Sequence, residues 1–290
     1  MVLRIIQGKQ GFVFGGPKET ILAIDIKNIT YKIQIKQLFQ REIIITSSIN
    51  NDYKDLYSVY YSLESLLMLF DGQFYSVSHV FDESNEITES WIKRTLSSRS
   101  SADFMIGKYN KLIDFAEVLN ANILLKWIGI EYDLDIVNNM IQYCLSSVKM
   151  PKDMQLAFMV ESFIPICELV FHKNSWKLPS VKKGESKLKK FLLEMINRYG
   201  KTIFQKELQI GINIFSQKLV NSRNRISHIK TKSKKDYIKG KENVYYLMKL
   251  SLLYRVILFE ILGIEKNKYE LKLDSIIQTI EQRFTKKFIS

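Results

Sequence analysis

The spacing of apolar and polar positions changes several times along the chain. From Val2 to Ser48 the apolar residues fall in short alternating runs, with Val2 and Ile5, Phe12 and Phe14, Ile21 to Ile26, Ile29 to Ile35, and Ile43 to Ile45. Turn signals at Gly15-Gly16-Pro17 and Lys27-Asn28 separate them. Period-two alternation of this kind predicts half-buried strands, here a small antiparallel sheet. The stretch from Gly15 to Thr20 lacks the Gly-Lys-Ser/Thr of a phosphate loop, so it predicts a hairpin turn. From Asp52 to Phe70 the period lengthens, with Leu56, Val59, Tyr60, Leu63, Leu66, Leu67 and Phe70 every three or four residues after an Asn51-Asp52 pair suited to capping. That predicts a helix laid on the sheet. Tyr53, Tyr57, Tyr60, Tyr61 and Tyr75 make this region aromatic, which serves core packing more often than base stacking. Phe74 to Phe81 alternates again and predicts a strand that rejoins the sheet, with His79 a structural residue in it.

Residues 82–101 are polar and end in Ser97-Ser98-Arg99-Ser100-Ser101. A boundary is expected near residue 105, dividing a β-rich domain, 1–105, from a helical domain, 106–290. Helical periodicity then predicts helices over 110–129, 133–147, 153–173, 184–199, 202–228, 241–262 and 274–284. Pro165 falls inside an apolar helix and predicts a kink. The fold class expected is α+β, a small N-terminal antiparallel β-rich domain followed by an all-α bundle.

A length of 290 residues suits two domains, and 46% hydrophobic content is enough for a substantial core. Cys144 and Cys167 sit in apolar helical runs and predict buried thiols rather than a disulfide. His79, His172 and His228 lie far apart with no neighbouring ligand residue at zinc spacing, so no metal and no cofactor is expected. The first residues, Met-Val-Leu-Arg-Ile-Ile-Gln-Gly, turn polar too quickly for a signal peptide. The apolar stretch Tyr245 to Ile264 is interrupted by Lys249, Arg255 and Glu260, which predicts a core helix rather than a membrane span. A cytoplasmic protein without a membrane partner is the expectation.

Charge changes the picture more. The net charge is +13, yet the segment from Lys173 to Lys241 alone holds 19 Lys and Arg against 4 Asp and Glu, a net of +15, leaving −2 for the rest. A concentrated basic surface suits phosphate binding, although a solvated basic face in a lysine-rich chain gives the same count.

Within that segment stands Asn221-Ser222-Arg223-Asn224-Arg225-Ile226-Ser227-His228. Ile203, Leu208, Ile212, Phe215 and Leu219 recur upstream at helical spacing, so this stretch rides on or at the end of a long amphipathic helix. At about 100° per residue, Asn224 and His228 share one stripe, and the long side chain of Arg223 can reach a group held near the imidazole. A phosphodiester is the natural group, because guanidinium forks onto phosphate oxygens and histidine titrates near neutrality. In RNA the 2′-hydroxyl supplies an internal nucleophile, and no metal is then required.

Arg223-Asn224-x-x-x-His228 resembles the Arg-polar-x(3)-His signature of the HEPN superfamily, helical bundles of which many are metal-independent ribonucleases. The segments Leu156 to Phe163 with its internal Glu161, Leu250 to Ile264 closing on Leu262-Gly263, and Leu119 to Trp127 are similar to the Apea-like HEPN branch, associated with abortive infection against phage. Arg225 departs from the aromatic or aliphatic residue that usually follows the pair, and is either a phosphate contact or a solvated charge. The resemblance implies a HEPN-type helical bundle and an endoribonuclease. In it Arg223 would hold the scissile phosphate, His228 transfer protons, and Asn224 orient the imidazole or contact phosphate. It also implies a homodimer with a composite active site, RNA as substrate with tRNA one candidate, and a phage-derived trigger sensed by the N-terminal domain.

Glu161 is expected to orient His228 or hold Arg223, with an ordinary ion pair as the competing reading. Lys230, Lys232, Lys234 and Lys235, with Lys239 and Lys241, form a basic loop after the motif, either an RNA-tracking or gating element or a plain surface loop. Two rival functions stay open: a non-catalytic HEPN module that binds nucleic acid or docks a partner, and the toxin half of a toxin–antitoxin pair.

Overall fold

A computed structural model describes residues 1–8, 17–37, 40–50, 53–75, 77–82, 85–86, 111–145, 150–227 and 235–288. The chain forms two compact units, Met1–Tyr132 with Leu145–Val148, and Asp133–Cys144 with Lys149–Ser290.

In the first unit, β1 (Val2–Gln7), β2 (Lys18–Ile26), β3 (Ile29–Gln37), β4 (Arg41–Ser47), β5 (Val77–Asp82) and β6 (Asn85–Glu86) form an antiparallel sheet in the order β2-β3-β4-β1-β5-β6. Alternation works as expected at Ile5, Ile33, Ile35, Ile43 and Ile45, wholly buried on one face, and in β1 it is Leu3 rather than the expected Val2 that joins them. Register Ile5↔Ile43 and Ile33↔Ile45 lines them up across strands. The β2–β3 hairpin turns on Lys27 (φ 50°) and Asn28 (φ 64°), the two left-handed residues that a tight hairpin requires. The turn expected at Gly15-Gly16-Pro17 falls mostly outside the described residues.

Helix α1 (Tyr53–Asp71) lays Leu56, Tyr60, Leu63, Leu66 and Phe70 into this core. Each such side chain removed from water stabilises by about 1.5–3 kcal/mol. Two of the tyrosines are packed against neighbours here. Tyr60 is buried and donates to Glu64, and Tyr75 lies 5.0 Å from the guanidinium of Arg41, which pairs with buried Asp71 at 2.7 Å.

The division expected near residue 105 lies outside the described residues, and the two units part after Tyr132. Side-chain chemistry explains why the intervening helices stay with the sheet. Phe115 of α2 (Phe115–Val118) stacks on Arg41 at 5.3 Å, and Trp127 of α3 (Ala121–Asp133) donates to the Ser62 carbonyl at 2.9 Å. The single helix expected over 110–129 is two, because Asn120 accepts the Ile123 amide with its side chain and starts a new helix.

The second unit is helical: α4 (Asp135–Leu145), α5 (Lys152–Glu161), α6 (Phe163–Lys173), α7 (Lys187–Tyr199), α8 (Gln205–Ser227), α9 (Lys241–Leu262) and α10 (Glu270–Phe288), with a short 3-10 turn at Lys266–Lys268. Helix α9 is apolar almost all round and correspondingly buried, including Leu247, Leu250, Leu253, Ile257 and Leu258. It ends on Gly263 in the left-handed region (φ 78°), whose amide bonds the Glu260 carbonyl while Ile264 bonds that of Phe259.

The helix expected over 153–173 is broken at Ser162. Pro165 has no amide to offer the Glu161 carbonyl four residues earlier, so the ladder stops there and Ser162 caps the Phe158 carbonyl. The whole Lys152–Lys173 run is long and apolar enough for a membrane span by composition. The break at Ser162 and its burial make it a core segment. Helix α8 is likewise interrupted, at Gly211 (φ 128°, ψ 101°), where one continuous helix is expected from sequence. Both cysteines are buried and unbridged, and burial pushes each thiol up to about 12.

Buried charge ties α8, α9 and α10 together. Lys249 is fully buried and meets Glu207 at 2.9 and 3.0 Å and Glu281 at 2.6 Å. Tyr245 donates to Glu281, and Lys206 also pairs with it. Two cations and two carboxylates thus neutralise one another. Burial pushes Glu281 upward, but the hydrogen bonds from Lys206, Lys249 and Tyr245 outweigh it and leave its carboxyl below the ordinary range.

Candidate functional site

The last two turns of α8 carry the described part of the motif, and α8 ends at Ser227. His228, Lys230, Lys232 and Lys234 lie outside the described residues. Arg223, Asn224, Arg225, Lys235 and Glu161 are placed.

Helix α5 packs along α8, and its break delivers Glu161 to the motif. Arg223 Nε and Glu161 Oε2 stand 2.5 Å apart. Neither atom forms a hydrogen bond of good geometry, so the contact is a charge pair set obliquely to the N–H bond. The Arg223 Nη1 donates to Asn224 Oδ1 at 2.9 Å. A guanidinium has five donors, so this leaves part of the fork open to a further acceptor. The side chains of Arg223 and Glu161 keep 25% and 35% of their exposure, while the two meeting atoms are themselves shielded from solvent.

The chain after the motif returns to the same helix. Ser222 Oγ accepts the Ile238 amide at 2.8 Å while donating to the Lys218 carbonyl, and Asn221 Nδ2 donates to the Asp236 carbonyl at 2.8 Å. Ile238 is buried beneath this seam. Arg225 and Lys239 each lie 4.6 Å from the ring of Tyr237. The described part of the basic loop, 235–240, is therefore docked on α8, and Arg225 lies over an aromatic face rather than standing alone in solvent. Lys235 is exposed.

Upstream on α8, a cavity of about 370 Å³ is lined by Lys189, Asn213, Ile214, Gln217, Lys218, Asn221 and Asp236. Gln217 Nε2 donates to Asn221 Oδ1 at 3.1 Å, and Lys218 pairs with Glu242 at 3.3 Å. Sequence reasoning passed over Tyr237 and this amide row. Tyr237 was detectable as the aromatic residue inside the lysine run, and Asn213, Gln217 and Asn221 as amides at four-residue spacing.

With this geometry established, comparison with known proteins adds one result. Residues 148–268 match the model of the Apea-like HEPN family, a span that holds Glu161, the Arg223 motif and the glycine-capped end of α9. The match runs from α5 to α9 of the helical region. No curated protein matches the chain. No solved structure matches it either. The likeness points to a nuclease or RNA-related role.

Proposed function

We propose that the protein is a HEPN-type endoribonuclease that cuts RNA by transesterification without a metal ion. The observation that carries this is Arg223, held by Glu161 and Asn224 with part of its fork open, inside a domain of the HEPN family. Arg223 would grip the scissile phosphate and offset the charge that grows on its oxygens. His228 follows the described helix in sequence and would move the proton. The 2′-oxygen attacks phosphorus as its proton leaves, the P–O5′ bond breaks, and the 5′-oxygen takes up a proton. The products are a 2′,3′-cyclic phosphate and a 5′-hydroxyl.

Transesterification ordinarily uses two proton-transfer groups, and one motif supplies one histidine. A homodimer with two motifs facing across a two-fold axis would supply both. In the cell the reading is an abortive-infection enzyme of the cytoplasm, restrained until a phage product is sensed through the sheet-containing unit, with tRNA among its targets. A defined RNA carrying a single 2′-deoxy nucleotide at the mapped cut site tests the chemistry. Cleavage lost at that nucleotide alone supports internal attack by the 2′-oxygen, and unchanged cleavage refutes it.

A further inference from the structure

The loop between α6 and α7, residues 174–186, leaves three large apolar side chains in water, Trp176, Leu178 and Val181. Scattered singly they would need no explanation, but gathered on one loop they mark an interaction site. The same loop is basic. Lys177, Lys182 and Lys183 are exposed and make no ion pair among the described residues, unlike Lys173, Lys187 and Lys190, which meet Asp133, Glu168 and Glu185. Its first turn is fixed by the backbone. Ser175 takes a left-handed conformation (φ 53°), its amide bonds the His172 carbonyl at 3.1 Å, and the Trp176 amide bonds that of Phe171 at 2.8 Å.

The indole is held by its neighbours. The guanidinium of Arg198, on α7, lies 4.2 Å from the Trp176 ring centroid and 5.2 Å from that of Phe171, and the two rings meet edge to face at 5.6 Å. Glu194 fixes Arg198 in turn, accepting from its Nε at 2.5 Å. Trp176 nonetheless keeps 39% of its exposure. A ring backed by a cation thus faces water in a set orientation, so little ordering remains for a ligand to bring about. The loop is also connected to the motif. Lys189, in the first turn of α7, lines the cavity that Gln217, Lys218 and Asn221 of α8 share, and Asn221 stands two residues before Arg223.

We infer that this loop is a second contact for single-stranded RNA, in which an unpaired base stacks on the Trp176–Arg198 platform while Lys177, Lys182 and Lys183 take the flanking phosphates. The inference rests on the ribonuclease reading for its ligand and adds a holding site away from the cut. Charge and geometry favour RNA over an anionic membrane, the other surface that a basic, apolar loop suits. Seating Trp176 in lipid would carry the pinned guanidinium of Arg198 toward the apolar phase, which is costly. On RNA the same guanidinium is an asset, because its plane stacks on bases and its charge attracts the backbone. Every base has a π-face, so the contact tolerates any sequence and requires only that the strand be unpaired.

Fluorescence anisotropy with a labelled 2′-O-methyl oligouridylate, which has no 2′-hydroxyl to attack, tests this on the full-length protein at neutral pH in EDTA. Trp176→Leu keeps apolar bulk without the ring and should weaken binding roughly fivefold or more, the loss of one base stack, whereas Trp176→Phe should stay within about twofold of wild type. Lys177→Gln, Lys182→Gln and Lys183→Gln combined should reduce the slope of log affinity against log salt by about 2, at about 0.7 per phosphate contact. These three side chains are exposed, so the triple variant decides the matter if Trp176→Leu fails to fold. No binding by the wild type, full affinity in a folded Trp176→Leu, or an unchanged slope in the triple variant would overturn the contact. Vesicles of phosphatidylserine and phosphatidylcholine serve as a second probe, and vesicle binding that Trp176→Leu abolishes while RNA affinity holds would give the loop to a membrane instead. Cleavage is not read in this assay. Trp176-dependent binding by a protein that cuts no RNA would keep the contact and sink the nuclease, and metal-free cutting with RNA affinity unchanged in Trp176→Leu would do the reverse.

Discussion

Arg223 of α8 and Glu161 of α5 are far apart in sequence, yet their charged atoms meet at 2.5 Å at the edge of the helical unit. Glu161 is there because Pro165 ends α5 at that residue. In the proposed reaction Arg223 grips phosphate; a carboxylate beside it would weaken its net field, so the proposal gives Glu161 the role of aiming the guanidinium.

Glu161→Ala should therefore lower single-turnover RNA cleavage by about tenfold, the effect of a misaimed charge contact of about 1.4 kcal/mol. Stability should change by less than about 1 kcal/mol, since the pair is partly exposed. Glu161→Asp, which keeps the charge on a shorter arm, should recover part of the rate. Rate assays beside thermal melts read both quantities.

Lys249→Met should be a stability variant. Removing the one cation buried between Glu207 and Glu281 leaves two carboxylates without it, a loss of about 3–5 kcal/mol in urea unfolding.

The pH dependence of that cluster has a definite sign. The Glu281 carboxyl is held below its ordinary value of 4.5, so its contribution is present above that value and lost as pH falls through its folded value. The stability gap between wild type and Glu281→Gln should be largest near neutrality and shrink in acid. A gap that widens below the ordinary value would contradict the assignment.

Gly211 interrupts α8 with φ 128°, a conformation that side-chain-bearing residues rarely adopt. Gly211→Ala should cost about 1–3 kcal/mol from backbone strain alone, since a Cβ there meets nothing closer than the Ile214 side chain at 3.5 Å. Chemical denaturation measures it.

The sheet and α1 were legible because their signals are local. Period two set Ile33, Ile35, Ile43 and Ile45 on one face, and Lys27-Asn28 marked its own hairpin. The helix breaks were less so. Asn120 and Gly211 sit in runs whose apolar spacing continues across them, and a periodicity argument reads through a cap or a single glycine. Pro165 announced a kink, but the ladder fails at its missing partner, Glu161, so the break falls upstream at Ser162. The candidate site was half legible. The sequence spacing marked Arg223 and Asn224, and resemblance to a family marked Glu161, yet only the packing of α5 on α8 brings that carboxylate to Arg223. Lys249 read as a charge interrupting an apolar helix, because Glu207 and Glu281 are distant in sequence and leave no local trace. The polarity of the Asn221–Gln217 row depends on the Asp236 carbonyl, which no sequence pattern displays.

The central claim is tested most directly by incubating purified protein with total cellular RNA in EDTA, wild type beside His228→Ala, and identifying the product ends. The account predicts metal-independent cutting to 2′,3′-cyclic phosphate ends by the wild type, reduced at least a hundredfold in the variant, the scale of a lost general acid–base group. Equal cutting by both proteins, or ends of another kind, would contradict it.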